Sequence, residues 1–176
     1  MHGFVLWGIA LILNDKIGLA TILMVMAINF KQMSLYFALP FGVFALAKIY
    51  KQNNGWLIGI VLNILALLTI FVLTNLVIWA PFILRGGAVT VNDILYRIFP
   101  VRRGIFEGNV ATFWCLVHNM IIRVNDWSRP LQLKLTTITT LAMCGPSLLM
   151  LYARPSKRNF LYTQVACCLA FYMFSM

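Results

Sequence analysis

The chain has 176 residues, of which 62% are hydrophobic and 10% charged, and a net charge of +10 from 14 lysines and arginines against 4 acidic residues. Soluble domains are about one quarter charged, so this composition excludes a soluble globular protein and indicates a helical membrane protein. The basic residues lie in short stretches between apolar runs, not on one soluble face, so nucleic acid is excluded as the partner and anionic lipid phosphate is the natural counter-charge.

Met1-His2-Gly3 lacks a basic leader, and no small-residue cleavage site precedes Asp15, so the start does not read as a cleaved signal peptide. Phe4 to Leu13 is apolar and ends at the polar turn Asn14-Asp15-Lys16. Ile17 to Ala47 is apolar apart from Lys31 and Gln32. As one helix it is too long and puts Lys31 near mid-membrane; as two, each arm is shorter than the ~20 residues of a full crossing. The pattern predicts a hairpin turning at Lys31-Gln32-Met33 with short or tilted arms. A lysine within a bilayer marks a functional site, whereas one at a helix end can simply snorkel; both readings stay open for Lys31.

Trp56 to Leu84 carries no charge and is long enough, at ~1.5 Å per residue, to cross ~30 Å of hydrocarbon. Pro81 is expected to help end this helix, and Asn63, Thr69, Thr74 and Asn75 to make helix–helix contacts. Residues 85–130 form a region too long for a simple turn, with an interfacial helix expected over Val110 to Arg123 from the spacing of Val110, Phe113, Trp114, Val117 and Ile121. Leu131 to Ala153 is a second span, with a kink expected at Gly145-Pro146. Phe160 to Met176 is a third, at the lower length limit. The expected architecture is an all-α polytopic membrane bundle, a single domain over 1–176, with about six apolar segments and one long interfacial loop. Cys115, Cys144, Cys167 and Cys168 have no CxxC spacing and read as small buried hydrophobes.

Alternating crossings place Lys31 and 85–130 on one side, and Lys16, Lys48 to Gly55 and Arg154 to Arg158 on the other. The second set is short and basic, as cytoplasmic loops are, but the first set carries more lysine and arginine, so charge does not orient the chain.

The richest chemistry lies between Arg97 and Cys115, where Arg97, Arg102, Arg103 and Glu107 stand among aromatic residues. Guanidinium groups grip phosphate oxygens through paired hydrogen bonds, and Phe and Trp line an adjoining apolar groove, which suits a phosphate carried on a lipid. The competing reading is an interfacial loop whose arginines touch headgroups. Glu107 reads as orienting an arginine or accepting from a sugar hydroxyl, and Phe113 and Trp114 as packing the loop onto the bundle. His2 and His118 suggest no catalysis, and four scattered acidic residues supply no metal cluster.

Arg97-Ile98-Phe99-Pro100, Arg103-Gly104-Ile105-Phe106-Glu107 and Val110-Ala111-Thr112-Phe113-Trp114-Cys115 resemble the signature of the alpha-1,3-glucosyltransferase family of N-glycan precursor assembly, which depends on dolichyl-phosphate glucose. Ala27 to Pro40, with Lys31, Gln32 and Tyr36, and Phe4 to Gly8 resemble two further blocks of that family. Arg-Gly-x-Phe-Glu and Phe-Trp-Cys favour the branch that adds the first glucose. The chain departs from the pattern at Gly108-Asn109, where Asp-Lys is usual, and at Thr112, where Asn is usual.

The resemblance implies a partial membrane glycosyltransferase C-type fold in the endoplasmic reticulum membrane, with 85–130 lumenal. The implied reaction is an inverting transfer of glucose from dolichyl-phosphate glucose to the dolichyl-diphosphate-linked high-mannose oligosaccharide. No cofactor is implied. The family's catalytic carboxylate lies in a part that this chain does not match, so the chain is expected to be a central fragment and its catalytic residue is unknown. Substrate-binding candidates are Arg97, Arg103, Glu107, Lys31, Gln32 and Tyr36. The alternatives are a non-catalytic lipid-phosphate-binding scaffold and a small transporter-like bundle.

Overall fold

A computed structural model of the chain describes residues 1–98, 112–121 and 126–174, without the side chains of Gln32, Ala88, Val89, Arg97, Ile98 and Asn119. Its elements are α1 (His2–Leu13), α2 (Ile17–Phe30), a 3-10 turn (Gln32–Ser34), α3 (Leu35–Gln52), α4 (Leu57–Ile98), α5 (Phe113–Met120), α6 (Arg129–Ala153) and α7 (Lys157–Phe174). The first two helices pair through a tight turn at Asp15, whose φ of 63° is a left-handed value that a short polar side chain tolerates. Helix α2 also packs on α4, while α3, α6 and α7 pack on one another. The core joins these groups through Ile12, Met24, Phe41, Phe44, Leu151 and Phe160. Phe44 and Phe160 stack there at 4.5 Å between ring centroids. Cys144 and Cys167 are fully buried between α6 and α7 and unbridged, so they fill space as small apolar side chains do.

The outer surface is strongly apolar. Leu57, Val77 and Leu84 on α4 are 75%, 74% and 86% exposed, an arrangement suited to hydrocarbon or to further helices and not to water. Leu57–Gly87 and Arg129–Ala153 are the described helices both long and apolar enough to cross a membrane; His2–Leu13 and Ile17–Phe30 are apolar but shorter. The all-α expectation therefore holds, and among the described residues two helices reach the length and composition of a membrane crossing while other apolar helices are shorter.

Two local expectations are corrected. Helix α4 does not end near Pro81 but holds it inside the helix, as membrane helices tolerate where nearby groups can re-satisfy the freed backbone. Its bend comes at Gly87, with φ 65° and ψ −161°, a backbone conformation essentially restricted to glycine. Helix α6 holds Pro146 inside a single helical segment. Of the polar residues on α4, Asn75 does reach another helix, but Asn63, Thr69 and Thr74 bond back to the carbonyls of Gly59, Leu65 and Ile70. Satisfying the polar group within its own helix suffices when no partner lies opposite.

Candidate functional site

The hairpin predicted at Lys31-Gln32-Met33 is present. Helix α2 stops at Phe30, and Lys31 follows in extended conformation at φ −157° and ψ 127°. The break is held by Ser34, whose buried Oγ–H donates to the Ala27 carbonyl at 2.9 Å. The same carbonyl accepts the Lys31 backbone N–H at 3.0 Å, so the Ser34 hydroxyl is its second donor at the helix C-terminus. Lys31 is exposed just beyond it, and the C-terminal end of the α2 dipole favours its charge. Gln32 begins the 3-10 turn, and its side chain lies outside the described atoms. Tyr36, in the first turn of α3, is half-buried and stacks on Phe171 of α7 at 5.2 Å with 13° between planes. Gln164 adds a second tie between these helices, donating Nε2–H to the Phe37 carbonyl at 3.3 Å.

A polar cluster fixes this end of α2 against α4. Trp79 Nε1–H donates to Asn29 Oδ1 at 2.6 Å, and Asn29 Nδ2–H donates to Asn75 Oδ1 at 2.9 Å. Asn29 also donates to the Val25 carbonyl, and Asn75 to the Phe71 carbonyl. Each amide is thus bonded both to its own helix and to its neighbour, so little is lost by keeping it away from water. From this cluster α4 continues past exposed Arg85 and the Gly87 bend to Arg97, whose backbone sits in the last helical turn. Arg103 and Glu107, with Arg102, lie outside the described residues.

The chain returns in α5. Within the expected helix from Val110 to Arg123, Phe113–Met120 is helical, and the described residues on either side are Thr112 and Ile121. Trp114 is buried and donates Nε1–H to the Phe174 carbonyl at 2.9 Å, capping the end of α7. The Phe113 ring lies 5.1 Å from that of Phe174. Both residues pack this arm onto the bundle, as their chemistry predicts.

Lys31, Tyr36, the α7 terminus and α5 therefore share one end of the bundle with the outgoing part of α4. The functional geometry missed from sequence is the Asn29–Asn75–Trp79 cluster. Its legible signal was Asn75 and Trp79 at i and i+4 on one face of an otherwise apolar helix.

Residues 1–176 match the ALG6, ALG8 glycosyltransferase family along the whole chain. The chain belongs to this family. It is 40% identical over 157 residues to a Caenorhabditis elegans protein named as a probable dolichyl pyrophosphate Man9GlcNAc2 alpha-1,3-glucosyltransferase, covering 89% of this chain and 30% of that protein. It is 37% identical over 174 residues to the dolichyl pyrophosphate Man9GlcNAc2 alpha-1,3-glucosyltransferase of Pongo abelii, covering 98% of this chain and 33% of the relative. The Saccharomyces cerevisiae relative of the same name is 33% identical over 183 residues, covering 99% of this chain and 32% of the yeast protein. The chain thus spans about a third of the length of the ALG6, ALG8 relatives it matches.

Proposed function

We propose that this chain forms part of a multi-pass glucosyltransferase of the endoplasmic reticulum membrane. The enzyme transfers glucose from dolichyl-phosphate glucose to the dolichyl-diphosphate-linked Man9GlcNAc2 oligosaccharide, with the Lys31 end of the bundle facing the lumen. The family match over residues 1–176, with relatives named for that acceptor, carries the reading. The sharing of one bundle end by Lys31, Tyr36 and the part of α4 leading to Arg97 supports it.

In an inverting transfer, a carboxylate takes the acceptor hydroxyl proton as the oxygen attacks the anomeric carbon and dolichyl phosphate leaves. Negative charge builds on the departing phosphate. Cations preorganised beside it stabilise the transition state more than the ground state, which raises turnover and not merely binding. Arg97 and Arg103 are assigned that role, Lys31 a supporting one, and Glu107 the orientation of an arginine. Gln32 and Tyr36 are assigned to the donor's phosphate and sugar. Lys31 and Gln32 are adjacent at the turn, and Tyr36, in the first turn of α3, stacks its ring on Phe171.

Alanine at the positions matching Arg97 and Arg103 in a full-length relative is expected to lower kcat by about a hundredfold each, with a smaller change in KM for the donor. Turnover unchanged in both variants, measured with dolichyl-phosphate glucose, overturns the assignment.

A further inference from the structure

The end of the bundle opposite Lys31 gathers three short connections. The α1–α2 turn carries Lys16, the last turns of α3 carry Lys48 and Lys51, and the α6–α7 connection carries Arg154, Lys157 and Arg158. Contacts join these connections into one surface. Lys48 Nζ pairs with Asp15 and donates to the Ile12 carbonyl at 3.2 Å. The rings of Tyr50 on α3 and Tyr152 on α6 lie 6.5 Å apart. Lys157 is close enough for its charge to act on Asp15.

The charge balance at this end is lopsided. Asp15 is its sole carboxylate among the described residues, and Lys48 takes it. Asp93 follows the Gly87 bend of α4, and Asp126 precedes α6, both at the other end. Lys51, Arg154, Lys157 and Arg158 stay exposed, and the one described carboxylate at their end, Asp15, adjoins Lys16 in sequence and is bonded to Lys48.

Their surroundings select the kind of anion. Trp56, Tyr50, Tyr152 and Tyr162 are 61%, 52%, 50% and 60% exposed around the same connections. Arg158 lies 5.4 Å from the Tyr162 ring centroid and donates Nε–H to its hydroxyl at 3.2 Å. Leu161, one turn after Arg158, and Leu57, at the start of α4, are exposed. Amphipathic aromatics between a cationic rim and bare apolar helix are the arrangement that a phospholipid headgroup layer satisfies, with phosphate or carboxylate at the rim and acyl chain below. A free anion would gain only the charge.

We propose that this end is a docking surface for anionic phospholipid headgroups of the leaflet it meets. Lys51, Arg154, Lys157 and Arg158 supply the attraction, and Lys48, held by Asp15, is withheld from it. The proposal is independent of the glucosyl-transfer reading, since it concerns the opposite end.

The test is electron spin resonance on the full chain reconstituted in phosphatidylcholine, with trace spin-labelled phosphatidylserine or phosphatidylcholine. Wild type is expected to hold labelled phosphatidylserine about fivefold more strongly than labelled phosphatidylcholine, and the preference should fall towards unity at high salt. Gln at Lys51, Arg154, Lys157 and Arg158 together should abolish the preference while leaving the amount of motionally restricted phosphatidylcholine unchanged, which reports an intact bundle. Gln at Lys31, Arg85, Arg129 and Lys134 should leave most of it. Equal affinity for the two lipids in wild type overturns the proposal, as does loss of preference only in the second variant. Abolition of the preference by millimolar inorganic phosphate at constant ionic strength also overturns it, because the surface would then be a free-phosphate site.

Discussion

The two ends of the bundle are held together by different forces. At the Lys31 end, helices meet through neutral contacts: Tyr36 on Phe171, Phe4 near Phe30, Trp114 on the Phe174 carbonyl and the Asn29–Asn75–Trp79 cluster. Exposed Lys31 and Arg85 take part in none of these contacts. At the other end, a cation is part of the framework. Lys48 bonds both Asp15 and the carbonyl of Ile12 at the end of α1, and its ammonium lies 4.9 Å from the Phe44 ring centroid. The lesson is that immediate surroundings decide what a cation does: Lys48 enters the frame beside Asp15 and the Ile12 carbonyl, while Lys51, Arg154, Lys157 and Arg158 at the same end stay exposed. Among the described residues, the end proposed to meet substrate builds its frame from groups without net charge, which leaves exposed Lys31 and Arg85 available to an incoming anion.

The largest expected effect tests the frame of the Lys48 end. Phe44 is fully buried, stacks on Phe160 and lies under Lys48. Phe44→Ala removes that ring from a packed site, and the chain is expected to lose about 3–5 kcal/mol. The measurement is the unfolding midpoint in mixed micelles titrated with dodecyl sulfate. A loss as small as that of an exposed substitution such as Leu84→Ala would show that the stack contributes nothing, and the contrast between the ends would fail there.

A smaller effect sharpens the contrast at the Lys31 end. Trp79→Phe keeps the aromatic bulk and deletes the donor to Asn29. Interhelical hydrogen bonds of this kind contribute about 1 kcal/mol within a membrane, because the alternative states also find partners. Combining Trp79→Phe with Asn29→Ala should give less than the sum of the two single losses, since both act on one bond. Strict additivity in the micelle titration would mean that the two residues are not energetically linked.

The cluster also shows where sequence reading reached its limit. The turn at Lys31 was legible because an apolar run of that length cannot keep two polar residues in its middle. The helix over Trp56 to Leu84 was legible from the absence of charge. Its true length was not: Pro81 read as a stop, yet the chain continues to Gly87, since only tertiary context decides whether a proline ends a helix or rides within it. Asn63, Thr69, Thr74 and Asn75 are alike in sequence, but which one bonds across helices depends on what stands opposite, and composition carries no record of that. The candidate site was legible as residue types through its family resemblance. Of its members, Lys31 and Tyr36 are placed fully and Gln32 and Arg97 by backbone, while Arg103 and Glu107 lie outside the described residues.

The smallest expected effect concerns Asp15. The hydrogen bond from Lys48, then its charge, hold the Asp15 carboxyl below the ordinary aspartate value, with Lys157 adding a little and partial desolvation opposing. A carboxyl whose pKa is lower folded than unfolded stabilises the fold above the unfolded value and ceases to do so as pH falls through the folded one. Stability from this group should therefore be flat from neutral pH down to about pH 5 and decline below about pH 4. Asp15 is well exposed, so the effect is screened by salt and smaller than either substitution above. Asp15→Asn should remove it while leaving Lys48 bonded to the Ile12 carbonyl, so α1 keeps its cap. Wild type and Asp15→Asn should then differ at neutral pH and converge in acid. A difference between them that stays constant from about pH 6 to pH 3 would mean that the carboxylate's charge is not what joins the α1–α2 turn to α3.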